Sequence, residues 1–168
     1  QEELDAASKA VEIAISAVRL LEEESLEELR LAEAAPSEGC REAVEACAVI
    51  LGVKPSFQDA QARLMPKEGA FRERLLGFEQ AAVAPAARTR LRKFLATAAD
   101  APAPSGKAAA ARGMEAVVAA LRQWALALLR HKAAAEEAEM AREQGACTPA
   151  MQAACECLCD LHGMHNVE

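Results

Sequence analysis

The sequence predicts an all-α protein, in which a small multi-helix bundle lies at the tip of a two-stranded antiparallel coiled coil. The chain is rich in alanine, only 3% of its residues are aromatic, and tyrosine is absent, a composition that favours helices over strands. Long segments at both ends show helical spacing of apolar residues, whereas proline and glycine concentrate between them. We therefore expect four parts: an outgoing coiled-coil strand (1–35), a helical domain (36–123), a returning strand (124–145) and a Cys-rich tail of unknown structure (146–168).

The outgoing strand is defined by a heptad pattern. Apolar residues recur every seven positions in two series, which form the seam of a coiled coil: Leu4, Val11 and Val18, and Ala7, Ala14 and Leu21. After Leu21 the phase slips by one residue. We expect a single helix from Glu3 to about Ala35, paired with a returning helix that carries Trp124 and Leu128 on its apolar stripe. The alternative is an ordinary amphipathic helix with ragged spacing.

The next helix has a marked start and stop. Ser37 follows Pro36 and is a candidate N-cap, and Gly52 ends the helix shortly before Pro55. The last turn is almost wholly apolar, which predicts that this end is buried. Arg41 lies on the opposite, solvent-facing side.

The charges are strongly segregated along the chain. Residues 1–35 hold ten acidic and three basic residues, residues 36–131 nine and fourteen, and residues 132–168 seven and two. A basic middle between acidic flanks indicates an anionic partner for the middle. Its densest part is a predicted helix over residues 86–95, where Leu91, Phe94 and Leu95 face inward. Four cations of this helix face solvent and are called the basic surface below: Arg88, Arg90, Arg92 and Lys93.

The cysteines fall into two sets. Cys40 and Cys47 are seven residues apart on one helix, too far to bridge each other, and are expected to be reduced core residues in a cytosolic compartment. In the tail, Cys155, Cys159 and His162 could converge on one side of a helix and bind zinc. The alternative, which we favour, is an irregular segment, a divergent terminus or an error in the gene sequence, with Cys155 and Cys159 as packing residues and no metal.

Other functional classes find little support in the sequence. The chain has no Gly-rich phosphate loop and no nucleophile in a recognisable setting, so we expect no enzymatic activity and no cofactor. The basic middle lacks the aromatic platform of a nucleic-acid binder, and the longest apolar run, Ala46–Leu51, is too short to cross a bilayer. The chain opens at Gln1 in mid-heptad, from which we expect a fragment of a longer protein.

Five short motifs, in order, resemble the stalk tip of a dynein heavy chain. They are Pro36 at the coil junction, Glu45 with the run Cys47-Ala-Val-Ile-Leu-Gly-Val-Lys-Pro55, the spacing Phe71-x-x-x-Leu-x-x-Phe78, the run Leu91-Arg-Lys-Phe-Leu95, and Trp124 in the last helix. The fourth motif is similar to axonemal members of the family. Two departures stand out: the returning strand lacks the family's proline, and an Ala/Pro-rich loop replaces its Asn-Pro turn.

The resemblance implies a microtubule-binding domain without an active site, because ATP hydrolysis in this family takes place in a distant AAA+ ring. The implied partners are tubulin and the rest of the heavy chain, in the cytoplasmic cytoskeleton of a cilium, and the sequence leaves open whether an axonemal light chain also binds the tip. The implied switch is a half-heptad slide of one coiled-coil strand. By position, Arg41 and Arg112 would join the basic surface in contacting microtubules. For Arg72 and Arg74 local ion pairs are the favoured interpretation, and a non-catalytic helical hairpin that scaffolds other proteins is the alternative function.

Overall fold

The computed structural model describes the backbone of residues 2–99 and 113–163, and the side chains of residues 2–96 and 113–143. Within these ranges the chain is helical and contains no strand, which confirms the all-α prediction. The helices are α1 (Glu2–Arg19), α2 (Glu23–Leu31), α3 (Glu38–Ile50), α4 (Phe57–Leu64), α5 (Ala70–Leu76), α6 (Pro85–Arg90), α7 (Arg92–Ala99) and α8 (Met114–Gly163), with a single 3-10 turn at Gln80–Ala82.

The helix α3 lies at the centre of the fold and has the predicted start and stop. The Ser37 hydroxyl accepts a hydrogen bond of 3.1 Å from the Cys40 amide, as an N-cap does. At the other end, the amide of Val53 donates to the carbonyl of Ala48 at 2.8 Å, and Gly52 has a φ of 75°. This is the Schellman arrangement, which satisfies carbonyls that the helix end would otherwise leave unpaired.

One hydrophobic core joins the first and last helices to the middle of the chain. The most extensive helix packing is between α1 and α8, followed by α3 against α8. The seam residues predicted from the heptad pattern are half-buried at Leu4 and buried at Val11, Val18, Leu21, Trp124 and Leu128. The pairing of the two terminal helices therefore shares a core with the bundle.

The outgoing strand is not one helix, so the prediction of a continuous helix from Glu3 to about Ala35 is wrong. The chain leaves the helical path after Arg19 and starts α2 at Glu23. This break coincides with the slip in the heptad phase. A single straight helix could not bring both of the out-of-phase apolar series to the core, which accounts for the place of the break. At the break Leu21 is buried, whereas Leu20 is 84% exposed.

Two further elements differ from the sequence prediction. The helix expected over residues 86–95 is divided at Leu91 into α6 and α7, although Leu91 and Phe94 are buried as expected. The expected irregular tail is also wrong, since the backbone of α8 stays helical to Gly163. Within the tail, residues 150–154 (Ala-Met-Gln-Ala-Ala) are all good helix formers, which favours continuation of the helix there. The Ala/Pro-rich loop seen in the sequence falls within residues 100–112, which lie outside the described ranges.

Candidate functional site

The basic surface is built by α6 and the start of α7. Arg88, Arg90, Arg92 and Lys93 are all exposed. On the same stretch Ala87, Leu91 and Phe94 are buried, each less than 10% exposed. Apolar residues spaced by four and three positions anchor one side of a helical segment in the core, which leaves the cations between them on the solvent side.

The basic surface has no acidic residues close to it in sequence, and its arginines are not paired within the described part of the chain. No acidic residue occurs in the sequence from Gln80 to Ala99. Among the described side chains Arg88, Arg90 and Arg92 make no ion pair, whereas arginines of other helices pair with a glutamate. Cations that are neither neutralised nor desolvated produce a local positive potential, which attracts an anionic surface at low ionic strength.

A residue of α8 anchors the basic surface to the core. The guanidinium carbon of Arg122 lies 5.8 Å from the centre of the Phe94 ring, within the range of a cation–π interaction. A terminal nitrogen of the same guanidinium lies 3.9 Å from a carboxylate oxygen of Glu42 on α3. Arg122 thus connects α3, α7 and α8.

Arg41 lies in a different setting from the basic surface. Its side chain is half-exposed on α3 and pairs with Glu38, one turn earlier. The hydrogen bond to Glu38 raises the pKa of Arg41, and the negative charges of Glu45 and Glu42 raise it further. Arg41 is therefore a partly neutralised cation on an acidic helix face, and its contact with a microtubule stays a prediction.

Three further arginines were singled out in the sequence, and the structure gives a different result for each. Arg72 is only partly exposed and pairs with Glu23 at 2.5 Å, so the predicted local ion pair is present. Arg74 is exposed and makes no ion pair within the described side chains. Arg112 lies outside the described residues, so its contact with a microtubule stays a prediction.

The cysteines of α3 are core residues. Cys40 and Cys47 are fully buried free thiols, and burial raises the pKa of both. The Cys47 thiol donates to the backbone carbonyl of Leu121, with a sulfur–oxygen distance of 3.8 Å. These two thiols therefore serve the packing of α3 on α8 rather than chemistry.

The candidate zinc ligands Cys155, Cys159 and His162 have no described side chains, although their backbone is helical. Within the side chains that are described, no group of three or more histidine, cysteine or acidic residues is arranged to hold a metal ion. In the same part of the chain, no helix is long and apolar enough to cross a membrane.

Two polar side chains that position helices escaped the sequence reasoning. Arg122 sits between the apolar stripe residues Leu121 and Trp124, and a cation at that place in the sequence was the available signal. Gln61 on α4 donates to backbone carbonyls at the end of α2, 29 to 32 residues away in sequence. Nothing in the local pattern around Gln61 indicates this contact.

The chemical character of the site is an exposed positive charge on a buried apolar anchor. No model of a known protein family matches the chain, and no curated protein matches it in sequence.

Proposed function

We propose that this chain is the microtubule-binding tip of a dynein heavy-chain stalk, of the axonemal type, and that it binds tubulin through the basic surface. The observation that carries the proposal is the cluster of exposed cations on α6 and α7, in which the three arginines have no ion-pair partner among the described side chains. The outer surface of tubulin is acidic, so charge complementarity would steer and orient the encounter.

The packing of the terminal helices is consistent with this function. A stalk tip needs an incoming and an outgoing strand that are paired close to the binding domain, and α1 and α8 form the largest helix contact of the fold. The central helix α3 packs on α8, and Arg122 of α8 touches both α3 and α7. A displacement in the paired helices would therefore reach the basic surface through direct contacts.

The alternative is a non-catalytic helical hairpin that scaffolds other proteins. Large apolar side chains on the surface favour it: Leu20 is 84% exposed, Leu31 65% and Ile13 53%. Scattered apolar residues are common on soluble proteins, however, and these three do not by themselves define an interface. The basic surface is the more specific feature.

Co-sedimentation of the full chain with stabilised microtubules separates the two functions. We expect the chain to pellet with microtubules at about 0.01 M salt and to be released at about 0.15 M, because the Debye length shortens from about 30 Å to about 8 Å. A scaffold without affinity for tubulin would stay in the supernatant at both salt concentrations. Pelleting that does not respond to salt would exclude an electrostatic interface.

A further inference from the structure

The break between α1 and α2 coincides with the slip in the heptad phase but contains no helix-breaking residue. Residues 16–31 contain neither glycine nor proline, and most of them are good helix formers. The residue before α2, Glu22, has extended backbone angles (φ −68°, ψ 134°), and its side chain makes no capping hydrogen bond. A break without a breaker or a side-chain cap has to be imposed by contacts with other elements of the fold.

The first of these contacts comes from α5. A terminal nitrogen of the Arg72 guanidinium donates a hydrogen bond to the backbone carbonyl of Leu21, and the other terminal nitrogen pairs with Glu23 at 2.5 Å. In an uninterrupted helix the Leu21 carbonyl would instead accept from the amide of Ser25, four residues later. Arg72 therefore occupies the acceptor that helix continuation needs.

The second contact comes from α4 and holds the far end of α2. The amide nitrogen of the Gln61 side chain donates to the carbonyl of Leu29 at 2.9 Å and to that of Ala32 at 2.8 Å. The last carbonyls of a helix have no partner within the helix, so Gln61 stabilises the end of α2 at this point. Both ends of α2 are thus held by side chains from the bundle.

The break also leaves an apolar side chain in water and a buried polar group unpaired in the part of the chain that the structure describes. Leu20 is almost fully exposed at the break, and the buried Nε of Arg72 has no hydrogen-bond partner among the described residues. An unsatisfied buried donor lowers the stability of the arrangement that buries it. The first backbone hydrogen bond of α2 runs from the amide of Leu26 to the carbonyl of Glu22 at 3.3 Å. The amides of Glu24 and Ser25 precede this bond, whereas both would be paired in a continuous helix.

We propose that the junction of α1 and α2 is a two-state hinge, in which Arg72 and Gln61 hold α2 bent away from α1 and their release lets the two helices join into one. The burial of Leu26 and Leu29 favours the bent state, and the helical propensity of residues 16–31 together with the unsatisfied donor favours the straight state. The hinge is a property of the fold and does not depend on which anionic partner the basic surface binds.

Amide hydrogen exchange read by NMR at Glu24 and Ser25 tests the hinge. The released variant is Gln61→Leu with Arg72→Met, and its matched control is Gln58→Leu with Arg74→Met, which changes the same residue types at exposed positions of the same two helices. We expect exchange at Glu24 and Ser25 to slow about tenfold in the released variant, because both amides gain helical acceptors. Equal or faster exchange than in the control would overturn the hinge.

A proline provides the reverse test. Glu22 already has the backbone angles that a residue before proline prefers, so Glu23→Pro fits the bent state and blocks the straight one. Added to the released variant, it should restore fast exchange at Glu24 and Ser25. Relaxation dispersion on the unmodified chain gives an independent reading, in which we expect microsecond-to-millisecond exchange at residues 20–25 that Glu23→Pro abolishes. Flat dispersion profiles there would contradict two interconverting states.

Discussion

The guanidinium of Arg122 on α8 lies over the ring of Phe94 on α7, 5.8 Å from its centre. Because Phe94 is also the buried residue next to Lys93, this contact fixes the helix that presents the second half of the basic surface. The same guanidinium is 3.9 Å from Glu42 on α3. A single side chain of α8 therefore contacts both α3 and α7.

Replacing Arg122 tests this role. Arg122→Ala removes the cation–π contact and the weak ion pair, and we expect the free energy of unfolding to fall by about 1 kcal/mol. Arg122→Lys retains a cation near the ring and should lose less. Urea unfolding followed by far-UV circular dichroism measures both values. Arg130→Ala, on an exposed position of α8, is the control, and an equal loss in that variant would show that Arg122 has no special role.

Gly39 within α3 and Gly52 just after its end should respond oppositely to replacement by alanine. Gly52 has a φ of 75°, and nothing lies within 4 Å of where a Cβ would stand, so Gly52→Ala is strained by its backbone alone and should destabilise the fold by about 1 kcal/mol. Gly39 lies inside the helix, and its Cβ would meet Val118 at an ordinary 3.9 Å. Gly39→Ala should stabilise the protein by up to about 1 kcal/mol.

Thermal unfolding of the two glycine variants under identical conditions checks this pair. Shifts of the same sign in both would contradict the observed end of α3.

The buried thiols predict a loss of stability at alkaline pH. Burial raises the pKa of Cys47 far above its ordinary value of 9.0, so the folded chain keeps the thiol protonated while the unfolded chain ionises it. The protonated thiol therefore makes its full contribution to the free energy of unfolding below pH 9.0, and this contribution is lost progressively as the pH rises above that value. Urea unfolding between pH 8 and pH 10.5 measures the change, and Cys47→Ala should reduce the slope.

Thiol labelling gives a second reading of the same burial. In a variant whose four tail cysteines are serine, Cys40 and Cys47 should react with a disulfide reagent only after unfolding. Rapid reaction of either thiol in the folded chain would mean that α3 is not packed on α8 as described.

Trp124 is the only tryptophan of the chain and is 1% exposed. Its ring meets Phe78 edge-on, with the ring centres 5.8 Å apart. Trp124→Ala should therefore cost about 3–5 kcal/mol, and the unmodified chain should show blue-shifted emission that moves to the red on unfolding. Red-shifted emission from the folded chain would contradict the burial of Trp124.

The features of the fold that could be predicted from the sequence are those set by residues close together in the chain. The limits of α3 could be predicted because Ser37 and Gly52 act on neighbouring residues. The inward side of α6 and α7 could also be predicted, since the spacing of Leu91 and Phe94 follows from helix geometry. Each of these inferences depends on residues a few positions apart.

The break after Arg19 could not be predicted as a break, although the slipped heptad phase pointed to the place. It depends on Arg72 and Gln61, which reach the outgoing strand from 29 to 51 residues away in sequence. The anchoring of Phe94 by Arg122 depends likewise on how α8 returns past α7. Such contacts carry no local signature, because a polar residue that captures a distant carbonyl looks like any surface residue in sequence.

The central claim is that the exposed cations of α6 and α7 bind microtubules, and charge reversal tests it most directly. The variant Arg88→Glu/Arg90→Glu/Arg92→Glu is compared with Arg19→Glu/Arg63→Glu/Arg74→Glu, which alters three exposed arginines elsewhere and changes the net charge equally. At low salt we expect the control to pellet with microtubules like the unmodified chain and the first variant to stay in the supernatant, with helical circular dichroism retained in both. Undiminished pelleting of the first variant would contradict the account.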